Sequence, residues 1–361
     1  MYILLLTLCV KYFSVMSTAF QRYVCSLFLL HLFFLLPEAA GAQRSITICE
    51  WNVENLFDVR HDSLKNDYEF LPEGSHSWTR SRYWRKQTKV GQTIAALGGE
   101  EGLPAIVGMC EVENDSVMYD LTRRSAMRGA RYEYVMTESA DRRGVDVALL
   151  YQPFLFKLLD WHSVRIPSVE NGFNPTRDIL YVKGCLPSSD TLHVMVCHLP
   201  SKAGGGQTSK RHRHLAAATL RSAVDSLLTL QPLAKLIVMG DFNAGSNEKV
   251  FDILMPPLRE TLPTDRRSLK QRVGTYYYKK QWSYLDHMLV SDGLVEWQGK
   301  LKGVEDVGRS SSAQPVVSAS ESRLPSLLGK DGSPFRTYRG PYYNGGVSDH
   351  LPLVMKLQLT Q

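Results

Sequence analysis

The chain has 361 residues, 44% of them hydrophobic and 22% charged, a balance found in globular proteins and compatible with one large domain or two ordinary ones. Its formal charge of +6 gives a mild bias toward anionic partners and says little about which. Six cysteines without a C-x-x-C spacing argue against a zinc site of cysteines and histidines.

The first element is a targeting segment. Ser26–Leu36 is nearly all apolar, Arg22 precedes it, and Ala40-Gly41-Ala42 matches a small-x-small cleavage signal before Gln43. Residues 1–42 are therefore expected to be a secretory signal peptide, with Met16 an alternative start and Tyr2–Val10 a second apolar run. An uncleaved anchor is the competing reading, but Ser26–Leu36 is short for a span of roughly 20 residues. Cleavage would remove Lys11, Arg22 and Glu38, taking the formal charge from +6 to +5. Residues 43–361 are expected to be a secreted or periplasmic single domain, monomeric and without stable membrane insertion. No linker divides them and no repeat is visible. Cys49, Cys110, Cys185 and Cys197 are expected to be free thiols, since three of them sit in apolar runs.

Apolar, strand-like runs follow at Ile46–Trp51, Ala105–Cys110, Val145–Tyr151, Ile179–Cys185, Leu192–Cys197, Leu236–Met239, Tyr284–Val290 and Leu353–Leu357. Helical spacing appears in Arg82–Leu97, less clearly in Ser116–Met127, and in Arg213–Leu230, where Leu220, Val224, Leu227 and Leu228 share a side. This interleaving is compatible with a doubly wound α/β domain, and periodicity goes no further. The Gly- and Ser-rich stretches Ala203–Gln207 and Gly303–Ser322 are expected to lie outside the core.

Five polar motifs stand where apolar runs end: Trp51-Asn-Val-Glu-Asn55, Cys110-Glu-Val-Glu-Asn114, Val196-Cys-His-Leu-Pro200, Gly240-Asp-Phe-Asn243 and Val347-Ser-Asp-His350. Ligands in open α/β sheets gather at strand ends. Oxygen-rich side chains with a histidine are what phosphoester cleavage requires: carboxylates to hold a hard divalent ion, and a group to carry the proton. Each motif is weak alone. In this order they resemble the endonuclease/exonuclease/phosphatase family, over roughly Ile46 to Leu357.

The resemblance implies a DNase I-like fold, a four-layer α/β sandwich of two packed mixed β-sheets with outer helices. It implies Mg²⁺ or Mn²⁺ as cofactor, with Glu111 as leading ligand and Asn52 and Asp349 beside it; Glu54 stands where some relatives carry an Asp near the metal. Asp241 is expected to orient or deprotonate the attacking water, Asn243 to hold the transition-state oxygen or steady Asp241, and Asp286 to fix His350. Whether Asp241 or His350 is the base is left open. His198 would stabilise the phosphoryl oxygens or protonate the leaving group, and Arg177 and Lys202 would bind substrate. His287 would point away from Asp286 if both lie on a strand. The aromatic segment Phe335–Gly346 is either a stacking wall or packing.

A secreted phosphodiesterase acting on nucleic acid is the leading reading. A phosphomonoesterase or lipid-headgroup phosphodiesterase is the alternative, and a non-catalytic scaffold is disfavoured because Glu111, Asp241 and His350 are all present. Cys110 and Ala244 depart from common family residues, a Gln and an Asp.

Overall fold

Along the first strand the side chains alternate strictly. Ile46 and Ile48 enter one apolar cluster while Cys49, Trp51 and Val53 enter another, so the strand is buried on both faces. The computed structural model describes residues 44–99, 102–168, 172–202, 206–261, 274–296, 314–315 and 327–359. The leader read at residues 1–42 lies outside these, as does most of the two Gly- and Ser-rich stretches.

Two six-stranded sheets carry the architecture, with strands numbered in chain order. The first runs β13 (Gln314–Pro315), β16 (Leu353–Leu359), β1 (Arg44–Leu56), β2 (Ile106–Val112), β4 (Asp146–Tyr151) and β3 (Glu133–Met136). The second runs β5 (Lys157–Val164), β6 (Ile179–Cys185), β7 (Thr191–His198), β8 (Lys235–Asp241), β12 (Asp286–Ser291) and β9 (Leu258–Glu260). Two hairpins stand apart, β10 (Tyr276–Tyr278) with β11 (Gln281–Ser283), and β14 (Tyr338–Arg339) with β15 (Tyr342–Tyr343). The helices are α1 (Arg80–Leu97), α2 (Asp115–Tyr119), α3 (Gly206–Leu230) and α4 (Lys249–Leu254).

Each sheet holds one parallel pair, β1 with β2 and β7 with β8, and its other pairings are antiparallel. A long helix makes each parallel crossover, α1 in the first sheet and α3 in the second, as parallel neighbours require. Three apolar clusters order the layers. Ile48, Leu149, Val194, Met239 and Met355 fill the space between the sheets. Trp51, Met109 and Leu150 pack under Val90 and Ile94 of α1. Met195, Val238 and Leu289 pack under Leu220 and Val224 of α3 and Phe251 of α4. The result is the four-layer sandwich of mixed sheets; periodicity alone could not choose it over a doubly wound sheet because both interleave strands and helices.

All eight apolar runs read from the sequence are strands here. The edge strands β3, β5, β9 and β13 escaped that reading; β5 is exposed along most of its length and shows no buried alternation. The helix expected over Ser116–Met127 is replaced: α2 ends at Tyr119, and a wider turn at Asp120–Arg124 and a tight one at Ala126–Ala130 follow. Among the described residues all four cysteines are free, with Cys49, Cys110 and Cys197 buried. No described helix is long and apolar enough to cross a membrane.

The two parallel pairs deliver their carboxyl ends to one end of the sandwich. Registers place His198 opposite Asp241 on β7 and β8, and Asp286 opposite Asp241 on β12, so three polar residues form one row across adjacent strands. Gly240 permits this row. Its φ is +143°, and a Cβ there would stand 1.8 Å from the Cys197 carbonyl oxygen. Gly240→Ala is therefore expected to lower folding stability by at least about 2 kcal/mol in urea unfolding; an unchanged midpoint would show that β7 and β8 can part without cost.

Candidate active site

Bulges prepare the strand ends. The β1–β2 register shifts between Asn52 and Leu56, and the β2–β4 register between Cys110 and Val112. Glu54, Asn55, Glu111 and Asn243 all take positive φ, between 48° and 63°. Such backbone costs about 1–3 kcal/mol per residue and persists only where neighbours hold it. Here they do: the Asn55 N–H donates to Glu111 Oε2 at 2.9 Å, and the Asn243 N–H donates to Asp241 Oδ1 at 2.8 Å. The second bond is an Asx-turn, by itself an ordinary way to close a strand. It uses only Oδ1, so the other oxygen is free to serve the site.

Around Asp241 Oδ2 the sequence-predicted residues converge. Asn52 Nδ2 donates to it from the opposite sheet at 3.1 Å, His198 Nε2 lies at 3.5 Å and His350 Nε2 at 4.0 Å. Behind His350, Nδ1 is 2.7 Å from Asp286 Oδ2. Ser348 Oγ donates to the Asn52 carbonyl and accepts from the His350 N–H, and Trp51 Nε1 donates to the His350 carbonyl. These bonds fasten the His350 loop to β1 of the first sheet, so the ring is presented to Asp286 of the second. His287, next to Asp286, points to the opposite face, toward Glu260, the Ala244 carbonyl and the rings of Phe242 and Phe251.

Burial works against a charged His350, yet Asp286, Asp349 and Asp241 together raise its pKa well above the ordinary value. His198 moves the other way, held neutral by burial and by the positive charge of Arg177 and Arg143. Its Nδ1 is buried without a partner, which places the ring proton on Nε2, toward Asp241 and Glu111. Burial, then the nearby Asp286 carboxylate, raises the pKa of Asp241.

On the first sheet, Glu111 Oε1 is 4.0 Å from His198 Nε2 and 3.9 Å from Arg143. Glu54 is buried, with burial and the charge of Asp349 raising its pKa. Asp349 Oδ2 accepts from Arg336 Nη2 at 2.7 Å. Glu54, Asp349 and Glu111 offer hard oxygen donors on this side of the site, and a divalent cation would relieve the repulsion by which the charge of Asp349 raises Glu54. Asn52 fits such an ion less directly: its Oδ1 accepts the Glu54 N–H at 3.0 Å and its amide nitrogen holds Asp241. Among the described residues, Asp241, Asp286 and His350 are the acid–histidine group whose ligand atoms all lie within 4.8 Å of one another. The His350–Asp286 hydrogen bond already engages two of them, which suits a proton path better than an ion.

Three expected residues are turned elsewhere. Arg177 is only 5% exposed, donating to Asp141 and to the Leu199 carbonyl, so it acts on the site through its charge at His198. Lys202 pairs with Glu248 at 2.6 Å. Asn243 Nδ2 donates to the Leu199 carbonyl at 3.1 Å and so ties the ends of β7 and β8. In the aromatic segment, Tyr338 packs on His76, Trp78 and Tyr343, and Arg82 lies over the Tyr343 ring. Those two rings are packing, while Tyr342 is exposed.

Four charged residues escaped the sequence reading. Glu50 is fully buried between the sheets, and burial followed by Asp286 and Asp241 raises its pKa well above normal. An acid inside the apolar run Ile46–Trp51 was the available signal. Lys86 is buried on the stripe of α1 that holds Val90 and Ile94, donating to the Glu54 carbonyl and to Thr337 Oγ1. Its i, i+4, i+8 spacing with those residues was legible. Arg143 and Arg336 come from loops whose path no periodicity records.

The model of the endonuclease/exonuclease/phosphatase family matches residues 47–359. A comparison with curated protein sequences finds no match. Among solved structures, the human Nocturnin catalytic domain aligns with a TM-score of 0.53 at 16% identity, covering 88% of this chain and 96% of that one. A mannosyl-6-phosphatase of Bacteroides thetaiotaomicron aligns at 0.52 and 15%, covering 87% and 99%. Truncated Caenorhabditis elegans TDP2 aligns at 0.52 and 12%, covering 88% and 98%. At these identities the structures speak for the fold, and the motif matched along nearly the whole folded region shows that the chain belongs to the endonuclease/exonuclease/phosphatase family.

Proposed function

We propose that this protein is an exported, divalent-metal-dependent phosphoester hydrolase whose preferred substrates are phosphodiesters, with nucleic acid the leading class. The observation that carries the reading is the meeting of His198, His350 and Asn52 around one oxygen of Asp241. A carboxylate flanked by a neutral imidazole and a raised, carboxylate-backed imidazole provides both a water-orienting group and a proton carrier.

In this reading Asp241 Oδ2 orients the attacking water, held in place by Asn52 and by the Asx-turn on Oδ1. The 4.0 Å separation of Asp241 Oδ2 from His350 Nε2 is one that a bridging water spans. Asp286 keeps the Nδ1 proton of His350 in place, so that Nε2 exchanges the mobile one. His198 presents its Nε2 proton to a phosphoryl oxygen. Glu111, Asp349 and Glu54 would hold Mg²⁺ or Mn²⁺, which when bound neutralises phosphoryl charge and favours departure of the alkoxide. The mild basic charge and the expected leader support an exported enzyme meeting a polyanion. A phosphomonoesterase is the second reading, favoured by Arg143 and Arg336 standing on either side of the acids, since a terminal phosphate carries more charge to match.

Hydrolysis of bis(p-nitrophenyl) phosphate and p-nitrophenyl phosphate by residues 43–361, with Mg²⁺, Mn²⁺ or EDTA, separates the two. Metal-dependent cleavage that is faster on the diester is expected, and a preference for the monoester would move the assignment to the second reading. Asp241→Asn and His350→Ala should each lower kcat by about two to four orders of magnitude with folding intact, and near-normal turnover in both would sink the mechanism. Glu111→Gln should instead raise the Mg²⁺ concentration giving half-maximal rate. Asp286→Asn removes the carboxylate that raises His350, so histidine NMR should show that ring titrating at lower pH. The sign follows from linkage: the Asp286–His350 pair stabilises the fold below the ordinary histidine value of 6.5, and that contribution is lost as pH rises through the elevated one.

A further inference from the structure

Arg177 is withdrawn into the fold, and a guanidinium placed to meet an anion is found instead on another element. Arg336 has the required placement. Its backbone is fixed on three sides, with its N–H donating to the Pro334 carbonyl at 3.0 Å and its own carbonyl accepting from the Gly346 N–H at 3.2 Å and from Asn344 Nδ2 at 3.1 Å. The next residue, Thr337, is locked by Glu54 Oε2 and by Lys86. Its side chain therefore leaves a rigid base toward Asp349, directly before His350 in the chain.

The head group sits among site residues while remaining reachable. Nη2 meets Asp349 at 2.7 Å, and the side chain is 28% exposed where that of Arg177 is 6% exposed. The Tyr276 side chain lies close enough to the guanidinium to interact with it, and the Tyr276 ring packs on His350 with centroids 4.8 Å apart. Tyr276 and His350 are further joined as a backbone bridge. A planar guanidinium has five N–H donors in a fork that matches two oxygens of a phosphate. Its bond to Asp349 steers that fork and does not exhaust it.

We propose that Arg336 is the substrate-phosphate clamp of this site, gripping nonbridging oxygens while Asp349 holds its plane beside Tyr276 and His350. The inference rests on the phosphoester-hydrolase reading for the identity of the anion, and its test is separable from turnover. Inorganic phosphate serves as the probe, titrated calorimetrically into the chain from residue 43 with Mg²⁺ and again with EDTA, for the unchanged protein, Arg336→Met and Arg336→Lys. Arg336→Met is expected to weaken phosphate binding at least tenfold in both media, and to raise KM for the cleaved ester by a similar factor with kcat changed less. Arg336→Lys should recover part of the affinity, because it restores the charge without the fork. Equal phosphate affinity and equal KM in a folded Arg336→Met protein would overturn the proposal. If Arg336→Met fails to fold, Arg336→Lys decides, with full retention of phosphate affinity overturning the clamp and a severalfold loss supporting it. Should the unchanged protein bind phosphate through Arg336 yet cleave no ester, the hydrolase reading fails while the clamp stands; absence of phosphate binding in the unchanged protein overturns the clamp.

Discussion

The hydrogen bond from Asn52 Nδ2 to Asp241 Oδ2 crosses from one sheet to the other, and the geometry of the site depends on it. Asp241 is nearly inaccessible, and a buried carboxylate is tolerable only when its oxygens are bonded. One oxygen is satisfied within its own turn and the other by Asn52. That division fixes the carboxyl plane, and with it the direction in which Oδ2 faces His198 and His350. The sandwich therefore works as a clamp: packing between Ile48, Val194, Met239 and Met355 sets the sheet separation, and the separation sets whether Asn52 reaches.

The remaining polar groups can be ordered by how they tolerate burial. Three carboxylates favour the charged form of His350, whereas burial and two arginines favour the neutral, singly protonated ring of His198. Two imidazoles facing one carboxylate oxygen are thus driven to opposite protonation states by their surroundings, the separation that acid–base chemistry needs. Glu50, beneath them, is pushed toward its neutral form by burial and by Asp286 and Asp241, so it adds little charge to an already acidic centre. Lys86 and Arg336 supply cations on the side where Glu54 and Asp349 crowd. Strained backbone at Glu54, Asn55, Glu111 and Asn243 belongs to the same arrangement, since the N–H bonds of Asn55 and Asn243 also aim the carboxylates of Glu111 and Asp241.

Much of the architecture was legible because β1, β2, β4, β7, β8, β12 and β16 are buried and write their apolar character into the sequence. What escaped was exposed or irregular: β5 at a sheet edge, the broken helix after Asn114, and the hairpins near His350. The site followed the same rule. Asn52, Glu111, His198, Asp241, Asp286 and His350 stand at strand ends or in a motif beside one, and the fold gathers them. Arg177 and Lys202 were plausible anion binders by residue type, yet Asp141 and Glu248 had prior claims on them. Which partner a long cationic side chain takes is a matter of three-dimensional distance, and spacing along the chain does not encode it.

The sequence by itself determined the buried strands, the order of the motifs, the membership in a phosphoester-cleaving family and the residue types available at each of those strand ends, because those follow from local alternation and from short contiguous signatures. Only the tertiary structure decided that Asn52 would hold Asp241 across the sheets, that Arg336 rather than Arg177 would face the site, and that Glu50 and Lys86 would lie buried beside it. The physical reason is that protonation state, orientation and exposure depend on neighbours brought together from tens to hundreds of residues away. For His350 and Trp51 that distance is 299 residues of chain, closed by a single 3.0 Å hydrogen bond.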